Sequence, residues 1–190
     1  MLRSTVDNSV ATLSVIADDA RRRLAEASRL TEATRRYDAT YHAELAWWTA
    51  DLTHSEGIPR TALVSKGEAE RVDIEREFPH LQRDEARRRG IQHDEAKILV
   101  LSTDSDDQKQ ALGCGEVLST VLLECTMAQM ATCTLTHMIE VEASRDIARE
   151  LSGTAGLPQV LIRVGTAPQA EEIPPPTPRR AVREVLEIRE

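Results

Sequence analysis

Two neighbouring arginines near the end of the chain, Arg179 and Arg180, have the residue type and spacing to bind a phosphate group. Pro178 fixes its own φ and favours an extended backbone at Thr177, which adds a hydroxyl beside the guanidinium forks. A helix beginning near Ala181 would add free backbone N–H groups. The alternative is that paired arginines near a chain end contact water or a surface carboxylate, and these residues alone leave both readings open.

No other stretch carries a catalytic or metal-binding pattern that the spacing supports. The five histidines are scattered, and neither a Walker phosphate loop nor a dinucleotide fingerprint is present. Cys114, Cys125 and Cys133 have spacings that match no zinc pattern, which favours small core residues in a reducing compartment. The aspartates of residues 103–107 lack the Gly and distal Glu of a calcium loop, so a turn with a helix N-cap is expected there.

Composition narrows the class of protein. The chain has 190 residues, a net charge of −8, and only 3% aromatic residues, so its core must be built from aliphatic side chains. An acidic balance argues against a nucleic-acid partner, because such proteins usually present a basic face. No signal peptide and no apolar run long enough for a membrane span are visible. We therefore expect a soluble cytoplasmic protein.

Hydrophobic periodicity predicts the elements that must position the arginine pair. Short β-rich or apolar runs predict strands, and apolar residues spaced by three to four predict helices. The strands are expected at residues 12–16, 97–102 and 159–164, and the helices at 18–36, from 38 onward, 107–131, 143–151 and 181–189.

The longest predicted helix contains Gly113 and Gly115, each of which costs about 1 kcal/mol relative to alanine in a helix interior. Glycine at such positions indicates a close approach to another element or to a cofactor. A tight helix–helix contact is the explanation that the sequence by itself favours.

One domain, residues 1–190, is expected, with two irregular segments. Residues 52–95 are charged and weakly periodic, which predicts a loop or lid insertion with one or two short helices. Residues 166–190 form a proline-rich C-terminal extension, which should be stiff and extended before its terminal helix.

Several motifs together resemble a known family, the Acg-type FMN-binding nitroreductase-like proteins of actinobacteria. The resemblance covers most of residues 10–189 and corresponds to the C-terminal half of those proteins only. It rests on the segments Tyr41–Trp48, Glu56–Pro59, Asp106–Leu123, Gly156–Gly165 and Pro176–Val182.

The resemblance implies an α+β nitroreductase-like fold, a mixed sheet wrapped by helices around a long central helix. It also implies FMN as cofactor and NAD(P)H as co-substrate. The phosphate would be held at the closing motif by Thr177, Arg179 and Arg180. The flavin ring would lie near the turn after the central helix, at Thr134, Leu135, Thr136 and His137.

The chain departs from the family pattern in two respects. Family members are similar to two fused domains around flavin, and the upstream half has no counterpart here. At the end of the central helix, Gln129-Met130 stands where Gly-Leu is common, and Thr134 stands where proline is frequent.

Two functions follow from this resemblance. The first is an FMN-dependent NAD(P)H oxidoreductase that acts on nitro-aromatic or quinone-like small-molecule acceptors. It would work as a homodimer or together with a separate first-half chain. The second is a catalytically inactive or flavin-sequestering half-domain with a regulatory or structural role.

Overall fold

The structure is a computed structural model that describes residues 6, 9–49, 58, 63–74, 76, 78, 93–167 and 181–187. Within these residues, ten helices and strands follow one another along the chain, with 3₁₀ turns at Asp18–Ala20 and His137–Ile139. They are β1 (Thr12–Val15), α1 (Arg21–Arg35), α2 (Ala39–Thr49), α3 (Lys66–Ala69), β2 (Lys97–Thr103), α4 (Gln108–Met127), β3 (Ala131–Leu135), α5 (Glu142–Ser152), β4 (Leu157–Gly165) and α6 (Val182–Val185).

The four strands form one sheet in the order β1-β2-β4-β3, and all three pairings are antiparallel. The α+β class is confirmed. The expected mixed sheet is wrong for the described strands, because each pair of neighbours runs in opposite directions. Helices make the long connections, and α4 links β2 to β3, which run parallel on either side of β4.

Alternation along β4 assigns its side chains to two separate cores. Val160, Ile162 and Val164 pack with α4 on one face of the sheet. Leu161 lies on the other face, in a core built with α1, α5 and the turn that contains Met138. The sheet is therefore the middle layer of three, with two helices on one side and α4 alone on the other.

Helix α4 begins as the sequence predicts but ends earlier. Asp107 is its N-cap, and the Asp107 carboxylate accepts a hydrogen bond from the backbone N–H of Gln110 at 2.9 Å. The helix stops at Met127 rather than at residue 131. Met130 N–H donates to the carbonyl of Cys125 and Gln129 N–H to that of Thr126, which is a Schellman closure.

Strand β3 is a correction to the predicted helix boundary. Ala131–Leu135 pairs with β4 in the register Thr132↔Val164 and Thr134↔Ile162. Its first four residues are exposed, so the segment has no apolar pattern of its own. Pairing with β4, a long-range interaction, makes this segment a strand.

The two irregular segments are described only in part. The 52–95 segment contains α3, whose N-terminus has a capping box between Ser65 and Glu68. The last helix is shorter than predicted and spans Val182–Val185, with Leu186 already extended. None of the described helices combines the length and apolar character needed to cross a bilayer.

Candidate functional site

The segment predicted to face a flavin ring, residues 134–137, lies where the edge strand β3 runs into a 3₁₀ turn. Its four side chains do not converge on one surface. Thr134 and Thr136 are exposed, whereas Leu135 and His137 are buried in the core beneath α1 and α5. Only the two threonine hydroxyls and the backbone of this segment are accessible to a ligand.

His137 is held inside the protein by α1. Its Nε2 lies 2.8 Å from the Ser28 hydroxyl, and its buried Nδ1 has no hydrogen-bond partner among the described residues. Burial, reinforced by the positive charge of Arg76, lowers the pKa of His137 to about 4. The imidazole is therefore neutral at pH 7 and acts as a core side chain.

Thr134 shares its face of the sheet with Ile162, which is the face that packs against α4. Thr136 lies beyond the end of the strand, where its hydroxyl donates to the Glu140 carboxylate at 3.2 Å. The exposed edge of β3 thus lies beside the C-terminal end of α4.

The outward side of α4 is unusually apolar for an exposed helix surface. Its buried stripe is Cys114, Val117, Val121 and Cys125. The opposite stripe, here called the outer α4 face, consists of Leu112, Gly115, Glu116, Ser119, Leu123 and Met127, all exposed. Leu112 and Met127 are 70% and 69% exposed, and the exposed charges on this side of the described helix are Glu116 and, in its first turn, Lys109. A solvated helix normally presents charges on this side.

The two glycines of α4 have different surroundings. A Cβ on Gly113 would lie 2.6 Å from Val10 Cγ1, so this glycine lets the N-terminal segment pack directly on the helix. Gly115 has no atom within 4 Å of the same position and opens onto the outer α4 face. Gly113 has a packing role, but the predicted helix–helix contact is wrong, because the contact is with Val10 in the segment before β1.

The predicted phosphate-binding residues Thr177, Arg179 and Arg180 lie outside the described residues. Their role remains a prediction. The described part of the extension closest to them is Ala181 and α6, whose side chains are all exposed.

The aspartate-rich turn after β2 organises neighbouring elements. Arg145 on α5 forms two hydrogen bonds with the carboxylate of Asp106, at 2.5 and 2.6 Å, and Gln159 donates to it at 2.6 Å. These donors lower the pKa of Asp106 to about 2. The N-cap predicted for this turn is confirmed at Asp107. In the described part of the chain, no group of three His, Cys, Asp or Glu side chains has metal-binding geometry.

A charged cluster that the sequence did not single out joins α1 to the end of the sheet. The Asp94 carboxylate oxygen Oδ2 accepts from Arg21 Nη2 at 2.5 Å and from Arg163 Nη2 at 2.8 Å. Arg21 also holds Asp73 through two hydrogen bonds of 2.8 Å. In the sequence, the feature that indicates this cluster is Arg163, the one charged residue within strand β4.

The sequence has close relatives that are nearly twice as long. A protein of Mycobacterium tuberculosis named only as uncharacterized is 54% identical over 189 residues, which covers 100% of this chain and 55% of the relative. "Putative NAD(P)H nitroreductase acg" from the same organism is 52% identical over 188 residues, covering 99% of this chain and 56% of the relative. The chain thus spans about half the length of the curated relatives it matches.

Solved structures support the fold at low sequence identity. The FMN-dependent nitroreductase NfnB from Mycobacterium smegmatis, in complex with NADPH, is 16% identical with a TM-score of 0.51, covering 100% of this chain and 84% of that one. A nitroreductase with bound FMN from Bacteroides fragilis is 11% identical with a TM-score of 0.54, covering 100% and 82%. No family model matches the chain.

The structural matches establish a nitroreductase-like fold. One curated relative that carries the Acg name matches 99% of this chain. By sequence and by fold, the chain is similar to about one half of the length of Acg-type nitroreductase-like proteins.

Proposed function

We propose that this chain is half of an FMN-dependent NAD(P)H oxidoreductase that reduces nitro-aromatic or quinone-like acceptors. The observation that carries the proposal is 52% identity, over 99% of the chain, to a relative named as an NAD(P)H nitroreductase. The nitroreductase-like fold supports it independently, because two of the solved structures that share the fold contain FMN or NADPH by name.

The outer α4 face is where the missing half of the site belongs. An exposed stripe that contains Leu112, Leu123 and Met127 is costly to leave in water, and it adjoins the exposed edge of β3. A second copy of the chain, or a separate first-half chain, would bury this stripe. In this proposal the flavin lies between the two halves.

The residues of this chain have separate parts in holding the cofactor. Thr177, Arg179 and Arg180 would bind the FMN phosphate, since guanidinium forks and a hydroxyl suit its oxygens. The exposed edge of β3 and the backbone of residues 134–137 would lie along the ring, with Thr134 and Thr136 as the accessible hydroxyls. β3 is suited to this role because it lies at the edge of the described sheet, where its outward N–H and C=O groups do not pair with another described strand.

When bound, FMN supplies the hydride and electron transfer between nicotinamide and acceptor. The chain's own side chains are then required to bind, to orient and to exclude water. No acid or base is needed for the hydride step, which agrees with a neutral, buried His137 that has no access to a ligand.

A specific observation favours a second candidate, a half-domain that sequesters flavin or serves a structural role. At the end of α4, Gln129 occupies a left-handed position with φ of 58°, a conformation that favours glycine. Losing two phosphate contacts, at about 1.5–3 kcal/mol each, would weaken FMN binding by roughly two to four decades.

The test is the visible absorption of the purified chain and its titration with FMN. We expect a flavin band, or saturable FMN uptake, that is lost in the double variant Arg179→Ala, Arg180→Ala. Arg23→Ala is the matched control, because Arg23 is an exposed arginine paired with Glu150 on the far side of the sheet. NADPH should then bleach the flavin band of the loaded protein.

Two further outcomes separate the candidates. FMN uptake without NADPH-dependent bleaching supports the sequestering half-domain. A colourless protein that takes up no FMN, alone or mixed with the first half of a relative, contradicts both. Leu123→Arg on the outer α4 face should abolish assembly with a second chain while leaving the fold intact, which sedimentation can measure.

A further inference from the structure

A cavity of about 930 Å³ lies at the end of the sheet where β2 and β3 begin and β4 ends. Its other side is formed by the segment around α3, including Val64 and Val72, and by residues 93–96. The volume falls within the range of known small-molecule sites. Residues 134–137, predicted to face the flavin ring, do not line this cavity, although Ala131, Thr132 and Cys133 of the same edge strand do.

The lining indicates an uncharged ligand. Val64, Val72, Met130 and Ala131 supply apolar surface. The charges balance, with three cationic side chains against three acidic ones: Arg71, Lys97 and Arg163 against Glu68, Asp94 and Glu95. A charged ligand would lose hydration on entering without meeting a net opposite charge, whereas a neutral one avoids that cost.

Arg163 is the polar group of the cavity that has hydrogen-bonding capacity to spare. Its side chain is only 18% exposed, and its Nη2 donates to Asp94. Its buried Nε has no hydrogen-bond partner within the part of the chain that the structure describes. Among the described residues, Asp94 is the one hydrogen-bond partner that the structure gives this guanidinium, which has five N–H donors.

Asp94 cannot supply the missing acceptor. Its Oδ2 already accepts from both Arg21 and Arg163, and its Oδ1 accepts from the backbone N–H of Ala96 at 3.1 Å. Arg21 is fixed in turn by Asp73. Both oxygens of Asp94 are thus engaged, and a ligand oxygen would give the remaining N–H groups of Arg163 an acceptor.

We propose that this cavity binds an uncharged, largely apolar small molecule that carries a carbonyl-type acceptor oxygen, with Arg163 as the donor. The apolar body lies against Val64, Val72 and Met130. The oxygen accepts from the guanidinium without displacing Asp94. The inference rests on the cavity and its hydrogen bonds and holds whether or not the chain binds flavin.

Cys133 provides a reporter at the cavity wall. It lines the cavity, it is the Cα partner of Arg163 across the β3–β4 ladder, and its thiol is exposed. The other two cysteines of the chain, Cys114 and Cys125, are buried in the α4 core. The rate at which iodoacetamide alkylates Cys133, measured by mass spectrometry, therefore reports whether a ligand occupies this cavity.

Three probes of similar size separate the features of the ligand. Acetophenone has an apolar ring and a carbonyl, ethylbenzene lacks the acceptor, and benzoate carries a charge. We expect acetophenone to slow the alkylation of Cys133. Its half-protecting concentration should be at least about tenfold below those of the other two, as a hydrogen bond to a charged group would give. Equal protection by ethylbenzene, or stronger protection by benzoate, overturns the proposal.

Variants test the assigned donor. Arg163→Met should raise the half-protecting concentration of acetophenone to that of ethylbenzene, whereas Arg23→Met, remote from the cavity, should leave it unchanged. If Arg163→Met does not fold, Ala131→Trp serves instead, because it fills the cavity from an exposed edge position and should remove protection by all three probes. Undiminished protection in a folded Ala131→Trp chain places the probe elsewhere and overturns the assignment.

Discussion

The two faces of the sheet are covered in different ways. On one face, α1 and α5 pack on the strands and on each other, and they present charged outer surfaces that are joined by the pair Arg23–Glu150. On the other face, α4 is the one described helix of the core cluster, and its outer side exposes Leu112, Leu123 and Met127 among polar residues. These large apolar side chains give α4 a second surface that another chain would bury.

The interiors of the two faces differ as well. The α1–α5 interface contains polar groups that satisfy one another, since the Thr31 hydroxyl donates to Ser144 at 2.7 Å and Ser144 donates to the Ala27 carbonyl at 3.2 Å. The α4 core contains only aliphatic side chains and two thiols. Directional hydrogen bonds fix how two helices meet, whereas an aliphatic layer tolerates adjustment.

The largest expected effect on stability comes from shortening two adjacent β4 side chains, one in each core. Leu161 and Ile162 are both fully buried, one on each face. We expect Leu161→Ala and Ile162→Ala to lower the free energy of unfolding by about 2–5 kcal/mol each. The loss at Leu161 should be the greater, because the doubly covered face relaxes less around a cavity. Urea denaturation at pH 7 measures both, and a larger loss at Ile162 would contradict the comparison.

Acid should weaken the α1–α5 face selectively. The pKa of His137 is about 4 in the folded chain against 6.5 for a free histidine, so the unfolded state takes up the proton first as pH falls. Stability is complete above pH 6.5 and declines through pH 4, by roughly 3 kcal/mol in all. Urea denaturation across this range should show the decline, and His137→Gln should flatten it. An equal slope in the variant would exclude His137 as its source.

The α4 face should respond to alkali instead. Burial raises the pKa of Cys114 and Cys125 above the usual value of 9.0, so their thiols ionise first in the unfolded state. Stability from these groups is present below that value and is lost as pH rises past it. Acid therefore lowers stability through a group on the α1–α5 face, and alkali lowers it through groups on the α4 face.

The smallest effect concerns the ends of α4 and α5, one on each face. Gln129 closes α4 with φ of 58°, and Gly153 closes α5 with φ of 68°. Left-handed backbone favours glycine, so Gln129→Gly should stabilise the chain and Gly153→Gln should destabilise it, each by about 1 kcal/mol. Thermal unfolding measures the opposite shifts. Destabilisation by Gln129→Gly would mean that the glutamine side chain contributes more than the strain costs.

Sequence patterns located most elements because those elements are encoded locally. The apolar runs at residues 97–102 and 159–164 lie within β2 and β4, and Asp107 caps α4 as its residue type indicates. Strand β3 was missed because Thr132, Cys133 and Thr134 are exposed, so their strand conformation depends on partners far away in sequence. The four predicted ring-facing residues were adjacent in sequence, yet strand alternation and the following turn separate Thr134 from His137.

The sequence by itself determined the family, the elements and the helix that begins at the aspartate turn, because residue type and period act over a few neighbours. Only the tertiary structure decided that Arg163 meets Asp94 and Arg21 at a cavity, and that Leu112, Leu123 and Met127 are exposed on the outer side of α4. Periodicity states which residues share a face. What lies against that face is set by chain segments many residues away, or by another chain.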